Sequence, residues 1–266
     1  MAARARTAPE HATPGWAIVC GQELRHLWLG GRGLLLSLSF SILLSFTTYL
    51  VATNQALNFL EQRESVNLTL QVAIAVGALL ALLAAADAVS GERERGTLET
   101  LLLSPVPRRG LAGGKLLATL SLWLAAFAIT IPYVWFIGRG VGLVGQALAV
   151  ALLVGTLLAV FLASLGIVVS VLAGSNRVSL SFSLFLVIAL FAPTQLPPSA
   201  QGWAGKLLLR VNPVSAGEHY VGKIVIDGHA WSRDASWLVS PIVGAALLAA
   251  VALFVGSRFI RVGSAQ

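Results

Sequence analysis

The sequence is poor in charge and in cysteine, and both shortages narrow the class of protein. Only 11% of its 266 residues are charged and 57% are hydrophobic, whereas about a quarter of an ordinary soluble domain is charged. The apolar residues fall into long blocks, which excludes a soluble globule and predicts an all-α integral membrane protein. The single cysteine, Cys20, cannot form an internal disulfide, and no Cys/His cluster has metal-site spacing. We therefore predict neither a redox centre nor a metal site.

A nucleotide-binding motif is also missing. A P-loop needs G-x-x-x-x-G-K-[ST], so that backbone amides and a hydroxyl can hold phosphate and magnesium. The nearest stretch ends in Gly114-Lys115, but Arg109 stands where the first glycine belongs and Leu116 where the hydroxyl belongs. We predict that the chain is not an enzyme and has no cofactor, and that ATP and magnesium bind a partner subunit. The basic residues lie between apolar blocks rather than on one face, which argues against a nucleic-acid partner.

The apolar blocks predict six transmembrane spans within a domain at 33–266. These lie at about 34–51, 68–90, 116–137, 147–173, 178–192 and 238–256. The fifth has only 15 residues, about 22 Å of helix against a hydrocarbon core of about 30 Å, so we expect it to be too short to cross alone.

The chain before the first span divides into two parts. Apolar residues recur at helical spacing from Trp16 to Trp28, which predicts an interfacial helix over 15–32, interrupted by Glu23. Residues 1–14 are predicted to form a mobile tail. A signal peptide is the alternative, but the preceding segment is too long and no clear small-residue cleavage site follows.

The distribution of basic residues predicts the orientation. Placing the termini, 91–115 and 174–177 in the cytoplasm puts 12 of the 18 bases there, as the positive-inside rule requires. The other side then holds Arg63, Arg139, Lys206, Arg210, Lys223 and Arg233. Aromatic residues near the outer span ends agree: Tyr49, Tyr133, Trp135, Trp231 and Trp237. We predict a protein of the inner (cytoplasmic) membrane, in contact with lipid, with both termini cytoplasmic.

Residues 91–110 form the most highly charged stretch of the chain. Gly96 can end one helix and start another, which would stop before Pro105. Three leucines of this short helix share one face, namely Leu98, Leu101 and Leu102. They either dock on a cytoplasmic partner or pack onto the protein's own helix ends, and spacing alone does not decide between these.

This stretch resembles the cytoplasmic loop between the second and third spans of type-2 ABC-transporter permeases. The six spans, the N-terminal interfacial helix and a long segment before the last span match the same family. In that family the loop contains a coupling helix that fits a groove in a separate ATPase. The resemblance therefore implies ATPase-coupling roles for Glu92, Glu94, Gly96, Thr97, Leu98, Glu99, Leu101, Leu102 and Pro105. The segment from Asn212 to Gly228 is similar to the gliding-motility and nitrous-oxide-reductase-maturation branches, which does not fix a substrate.

Few polar residues lie within the predicted spans. Asp87 is the only ionisable one, and its position one turn from the charged loop predicts an ion pair with Arg93, Arg95 or Lys115. The first span carries a serine stripe, which favours close helix packing over a transport pathway: Ser37, Ser41 and Ser45. His219 and His229 lack HExxH or triad spacing and are interpreted as exposed structural histidines.

The segment 193–237 must either finish a crossing or bend within a protein-lined cavity, because lipid cannot satisfy open backbone. Four prolines interrupt it, and we predict short helices at Gln201–Leu209 and Ala216–Ile226. Two such re-entrant half-helices would form an extracellular gate, which is also what the family resemblance implies.

These observations predict the permease subunit of an ATP-driven ABC exporter that acts with a cytoplasmic ABC ATPase. Six helices are few for a gated path, so we expect a homodimer. One alternative is a mechanotransmitting subunit that drives a periplasmic or extracellular accessory protein and moves no cargo. An intramembrane enzyme is a second alternative, but Asp87 alone cannot supply its catalytic groups. A passive channel is disfavoured because no filter-like loop is visible.

Overall fold

The computed structural model describes residues 14–53, 59–98, 107–140, 142–195 and 202–259. Within these residues it contains ten α-helices and no strand, which confirms the all-α prediction. The helices are α1 Gly15–Leu29, α2 Arg32–Thr53, α3 Phe59–Asp87, α4 Ser90–Glu94, α5 Arg108–Gly138, α6 Val144–Leu172, α7 Asn176–Phe191, α8 Trp203–Val211, α9 Pro213–Val225 and α10 Val239–Phe259. Two 3-10 turns, Ala192–Gln195 and Ala235–Leu238, precede α8 and α10.

Six of the described helical segments are long and apolar enough to cross a membrane. They are Arg32–Thr53, Gln62–Glu94, Arg108–Gly138, Val144–Leu172, Asn176–Thr194 and Ala235–Arg258. The prediction that the fifth is too short is wrong, since the segment has 19 residues, about 28 Å at helical rise. The run of apolar residues underestimates the length of this segment. The helix begins at the polar Asn176, with Ser175 as its N-cap, and a 3-10 turn extends the segment past Phe191.

The N-terminal helix is continuous. The sequence predicts that Glu23 interrupts it, and this is wrong, because α1 runs unbroken from Gly15 to Leu29. The Glu23 carboxylate instead forms an ion pair with Lys115 of α5. Of the predicted tail, residues 1–13 lie outside the described part of the chain.

Helices α3 and α6 form the centre of the bundle. In each, 61% of the most apolar stretch is buried, against 17% in α2 and α10. Small residues let the two central helices approach closely: a Cβ built on Gly166 of α6 would lie 2.7 Å from the Leu82 carbonyl oxygen of α3. On α5, the buried Trp123 packs into the same core and donates its ring N–H to Thr156 of α6 at 3.1 Å.

Helix α2 attaches to α5 through the serine stripe. The hydroxyls of Ser41 and Ser45 lie 3.2 and 2.7 Å from the Tyr133 hydroxyl, while Ser37 is half-buried on α2. Two of the three serines therefore bond the neighbouring helix. This contact supports the prediction that the stripe serves helix packing.

Two short helices precede the last span, near the positions that the sequence predicts. They are α8 and α9, and the chain breaks between them at Asn212. The Asn212 Oδ1 accepts the Val214 N–H at 2.9 Å and so caps the start of α9, where Pro213 fits the first helical position. The Asn212 amide also donates to the Leu190 carbonyl of α7 at 2.6 Å. Helix α8 buries none of its residues, whereas α9 buries a full face in the central core.

Candidate functional site

Charged side chains from five helices and one turn meet where α3 ends. We call this group the ion-pair cluster. It contains Glu23 of α1, Arg32 of α2, Asp87 of α3, Glu92 of α4, Arg95 of the following turn and Lys115 of α5. In a chain with so few charges, this is a marked concentration, and it joins helices that are far apart in sequence.

Lys115 forms one half of the cluster. Its side chain is only 2% exposed, and Nζ lies 2.6 Å from a Glu92 carboxylate oxygen and also bonds the Glu23 carboxylate. A buried ammonium without partners carries a large desolvation penalty, so the two acids compensate it. The lysine thereby fixes α4 and α1 to α5.

Asp87 forms the other half. Its carboxylate lies 2.5 Å from Arg32 and 3.7 Å from Arg95, and it accepts the Asn176 side-chain N–H at 2.7 Å. The sequence predicts a pair with Arg93, Arg95 or Lys115, and of these the structure pairs Arg95 with Asp87, because the other two bases bind other groups. Arg32 is separated from Asp87 by 55 residues, so local spacing could not reveal it.

The position of Asp87 depends on Gly91. A Cβ built at Gly91 would lie 2.2 Å from an Asp87 carboxylate oxygen, closer than such atoms approach in proteins. Only glycine leaves room for the carboxylate between α4 and Arg32. The glycine is therefore part of the site although it carries no functional group.

Helix α4 is also fixed to the turn that joins α6 and α7. The Arg93 guanidinium donates to the Ala173 carbonyl at 2.5 Å and the Val171 carbonyl at 3.2 Å, and so caps the carboxyl end of α6. At the start of α7, the Asn176 N–H donates to Glu94 at 2.8 Å. Motion of α4 must therefore move, or break from, both neighbouring spans.

The segment after α4 turns outward and then returns to the bundle. Gly96 has a φ of +70°, a left-handed conformation that suits glycine, and the Thr97 N–H donates to the Glu92 carbonyl at 3.1 Å. Residues 94–97 are exposed, but Leu98 is only 4% exposed and packs with Val89, Leu116 and other apolar residues. For Leu98 the prediction of a docking surface is wrong, and the alternative of packing onto the helix ends holds. Glu99, Leu101, Leu102 and Pro105 lie outside the described residues.

A cavity of about 780 Å³ adjoins the ion-pair cluster. The cluster's charged side chains line one part of it. The rest of its wall includes apolar residues of α2, α3 and α7, namely Leu35, Leu36, Leu83, Leu180 and Leu184. The cavity thus separates α2 from α7 beside the exposed turn.

A second cavity, of about 870 Å³, lies near the start of α3, between α3, α8 and α9. Asn67 lines this cavity and Asp87 lines the first one. The two cavities therefore lie near opposite ends of α3, because 20 residues of helix span about 30 Å.

Two ionisable side chains of the second cavity have shifted pKa values. Burial raises the pKa of Glu218 to about 7. The neighbouring His219 packs against Trp237, with ring centroids 4.1 Å apart. Partial desolvation of the ring and the charge of Lys223 lower the pKa of His219.

The two predicted structural histidines differ in exposure. His219 is exposed, as the sequence predicts, but His229 is only partly exposed and lies 2.6 Å from Asp234. Neither belongs to the ion-pair cluster. Their contacts stabilise the chain before α10.

Sequence reasoning missed three groups of this site: Glu23, Arg32 and Asn176. Each lies at a helix end or on an interfacial helix, next to an apolar span. In a chain with 11% charge, every ionisable residue that borders a span is a candidate partner for Asp87. That signal was present in the sequence, although it could not select among the candidates.

Six apolar helical segments, two of them central, with charges gathered at one end, define a multi-pass membrane protein. The family model described as "ABC-2 family transporter protein" matches residues 34–253. The chain therefore belongs to this family and is a permease subunit of an ABC transporter, a class of non-catalytic membrane subunit that generally pairs with a cytoplasmic ATPase. No curated protein matches the sequence significantly. The family match does not assign the chain to a branch of the family.

The structure predicts which bases couple energetically to Asp87. In double-mutant cycles, Asp87→Asn with Arg32→Gln should show a coupling free energy of about 1 kcal/mol, because the two charges touch. Asp87→Asn with Arg93→Gln should be additive within about 0.3 kcal/mol, because Arg93 binds backbone carbonyls instead. Unfolding in detergent measures both cycles. Equal coupling to both arginines would contradict the arrangement of the cluster.

Proposed function

We propose that the chain is the membrane subunit of an ATP-driven exporter and that the exposed turn at residues 94–97 contacts a separate cytoplasmic ATPase. The observation that carries this proposal is the attachment of that turn. It follows α4 directly, and α4 bonds to α5, to the carboxyl end of α6 and to the start of α7 through Glu92, Arg93 and Glu94. Lys115 of α5 also bonds Glu23 and so connects α4 indirectly to α1. A surface that is exposed on one side and bonded to several spans on the other suits the transfer of force.

The bonds around α4 suggest how closure of the ATPase moves the spans. A push on the turn is transmitted by Glu92 to Lys115 and by Lys115 to Glu23. Arg93 transmits the same displacement to the carboxyl end of α6. Packed helices move as rigid bodies between discrete arrangements, so a small shift of α4 can switch the bundle as a whole.

The orientation follows from the same assignment. The ion-pair cluster and both chain termini face the cytoplasm, and α8, α9 and the second cavity face the other side. The excess of basic residues on the cluster's side supports this orientation. Helices α8 and α9, which line the second cavity, would then form the extracellular gate.

A second copy of the chain completes the transporter. Helix α7 leaves bulky apolar side chains exposed, among them Phe182, Phe185 and Ile188. Lipid or protein must cover such a surface in a membrane. A two-fold pair that brings together the α2 and α7 sides would cover part of it and would place the two turns side by side for a pair of ATPases.

Transport is favoured over force transmission to an accessory protein. The observation behind this preference is the pair of cavities, one near each end of α3, each within the size range of small-molecule sites. A subunit that only transmits force needs no such space. Alternating opening of the two cavities would carry cargo across the membrane.

The contact with the ATPase can be tested at Thr97. Thr97→Glu should abolish the ATPase stimulation that assembly gives in the complex purified through this chain, because a charge would enter the contact. Its melting temperature should stay within about 2 °C, because exposed substitutions cost little. Thr97→Ala is the matched control, since it loses the same hydroxyl without adding charge, and it should retain stimulation. Normal stimulation of the Thr97→Glu complex, or magnesium-dependent ATP hydrolysis by the chain alone, would contradict the proposal.

A further inference from the structure

The second cavity contains buried oxygen atoms that lack hydrogen-bond partners. Asn67 is 5% exposed and Ser215 is 3% exposed, and the Asn67 Oδ1 and the Ser215 Oγ have no partner among the described residues. Both residues line the cavity. A buried polar atom without a partner costs about 1–3 kcal/mol, so a group that is not part of the chain is expected to bond them.

Glu218 lies on the same wall. Ser215, Glu218 and Gly222 follow one another at i, i+3 and i+7, and so share one face of α9. Asn67 stands opposite this face, because a Cβ built at Gly222 would lie 3.9 Å from its Oδ1. Within the described part of the chain, the Glu218 carboxylate forms no ion pair.

The basic residues of the cavity do not neutralise Glu218. Lys223 pairs with Asp227 at 2.8 Å, and Arg210 bonds Ser236 and lies over the Trp237 ring. Lys206 is exposed on α8, while His219 packs on Trp237. From α3 the cavity receives the uncharged Asn67 and Gln71, while Arg63, one turn before Asn67, donates to the Ile226 carbonyl at 3.3 Å. Helix α6 has no charged residue. In α7 and α10 the only charged residues, Arg177 and Arg258, lie at the far ends of the helices.

We propose that this cavity binds a ligand through a protonated amine, with Glu218 as the counter-charge and Asn67 and Ser215 as hydrogen-bond acceptors. All three groups can accept a hydrogen bond, and one is anionic, which matches an ammonium group. The volume of about 870 Å³ fits a small organic molecule rather than a bare ion. The inference rests on the proposed transport function and names its cargo class as an organic amine.

The raised pKa of Glu218 gives the site a pH dependence. With a pKa of about 7, the carboxyl is mostly ionised at pH 8, and only about one-tenth is ionised at pH 6. If the ionised form binds the amine, affinity should fall about tenfold between pH 8 and pH 6. His219 also gains charge at low pH, so a Glu218 variant is needed to assign the effect.

Binding of tritiated tryptamine to the purified full chain in detergent tests the site. Tryptamine is a primary amine, tryptophol is its neutral hydroxyl analogue, and indole-3-propionate is an anionic one. At pH 8 we expect tryptamine to bind at least tenfold more tightly than either analogue. Glu218→Gln should remove this preference and the pH dependence, whereas Glu64→Gln, which removes an exposed acid of α3 that does not line the cavity, should change affinity less than twofold.

Three results would overturn the inference: equal binding of tryptamine and tryptophol, tighter binding of indole-3-propionate, or unchanged tryptamine binding by Glu218→Gln. A melting curve of Glu218→Gln checks that this variant is folded. If it is not folded, Asn67→Ala replaces it in the test and should weaken tryptamine binding at least threefold. The assay contains no ATPase. Its failure would therefore leave the Thr97 test of coupling unaffected, and a failed Thr97 test would leave amine binding intact.

Discussion

Replacing Lys115 by methionine is expected to lower the free energy of unfolding by about 3 kcal/mol, since removal of one partner of a buried ion pair leaves the other uncompensated. Methionine keeps the length and the apolar stem of lysine, so packing changes little. What is lost is the ammonium that joins Glu23 and Glu92. The two carboxylates then face each other, and one must take up a proton or move. Unfolding by titration with a denaturing detergent, compared with the parent chain, measures the loss.

The triple variant Lys115→Met, Glu23→Gln, Glu92→Gln provides the control. It removes the acids together with the base, so most of the stability lost in Lys115→Met should return. ATPase stimulation should nevertheless stay low in the triple variant, because the connection between α4 and α5 is absent. A triple variant as unstable as the single one would show that Lys115 acts through packing rather than through its charge.

Leu98→Glu is expected to be the most damaging change described here. The leucine is 4% exposed within an apolar cluster, and a carboxylate there loses the packing and must be buried or expelled. We expect a loss of about 4 kcal/mol in the free energy of unfolding. Thermal unfolding in detergent, measured beside Thr97→Glu, gives a matched comparison of the same introduced charge at the adjacent exposed position.

The comparison separates two roles of the same loop. If Leu98 docks on the ATPase, Leu98→Glu leaves the isolated chain as stable as Thr97→Glu does, and only coupling is lost. If Leu98 packs inside, Leu98→Glu destabilises the chain even without a partner. Unchanged melting of Leu98→Glu would thus contradict the packing seen in the structure.

The sequence predicts the spans well because lipid imposes a simple requirement. A span needs about twenty apolar residues in a row, and that pattern is visible without any tertiary information. The fifth span shows what hydropathy cannot predict, namely the ends of a helix. This helix begins at the polar Asn176 and is followed by a 3-10 turn that contains Pro193. Hydropathy counts apolar residues, whereas a helix is bounded by its caps and its hydrogen bonds.

The ion-pair cluster was only partly predictable for a different reason. The position of Asp87 beside a charged loop indicates an ion pair, and Arg95 is one of its partners. Arg32 and Asn176 reach it only through the packing of α2 and α7 against α3. For Leu98 the helical spacing is compatible with an inward or an outward face, and only the fold decides between them.

The contact between the exposed turn and a cytoplasmic ATPase is the central claim, and site-specific photo-crosslinking tests it most directly. A benzophenone amino acid replaces Thr97 in one variant and Asp227 in a second. Asp227 is an exposed residue that follows α9 and lines the second cavity, near the start of α3. After irradiation of cells and purification of the chain, mass spectrometry identifies the adducts. The account predicts an adduct between Thr97 and a protein that contains a P-loop, and no such adduct at Asp227. An ATPase adduct at Asp227 alone would contradict both the coupling role of the turn and the proposed orientation.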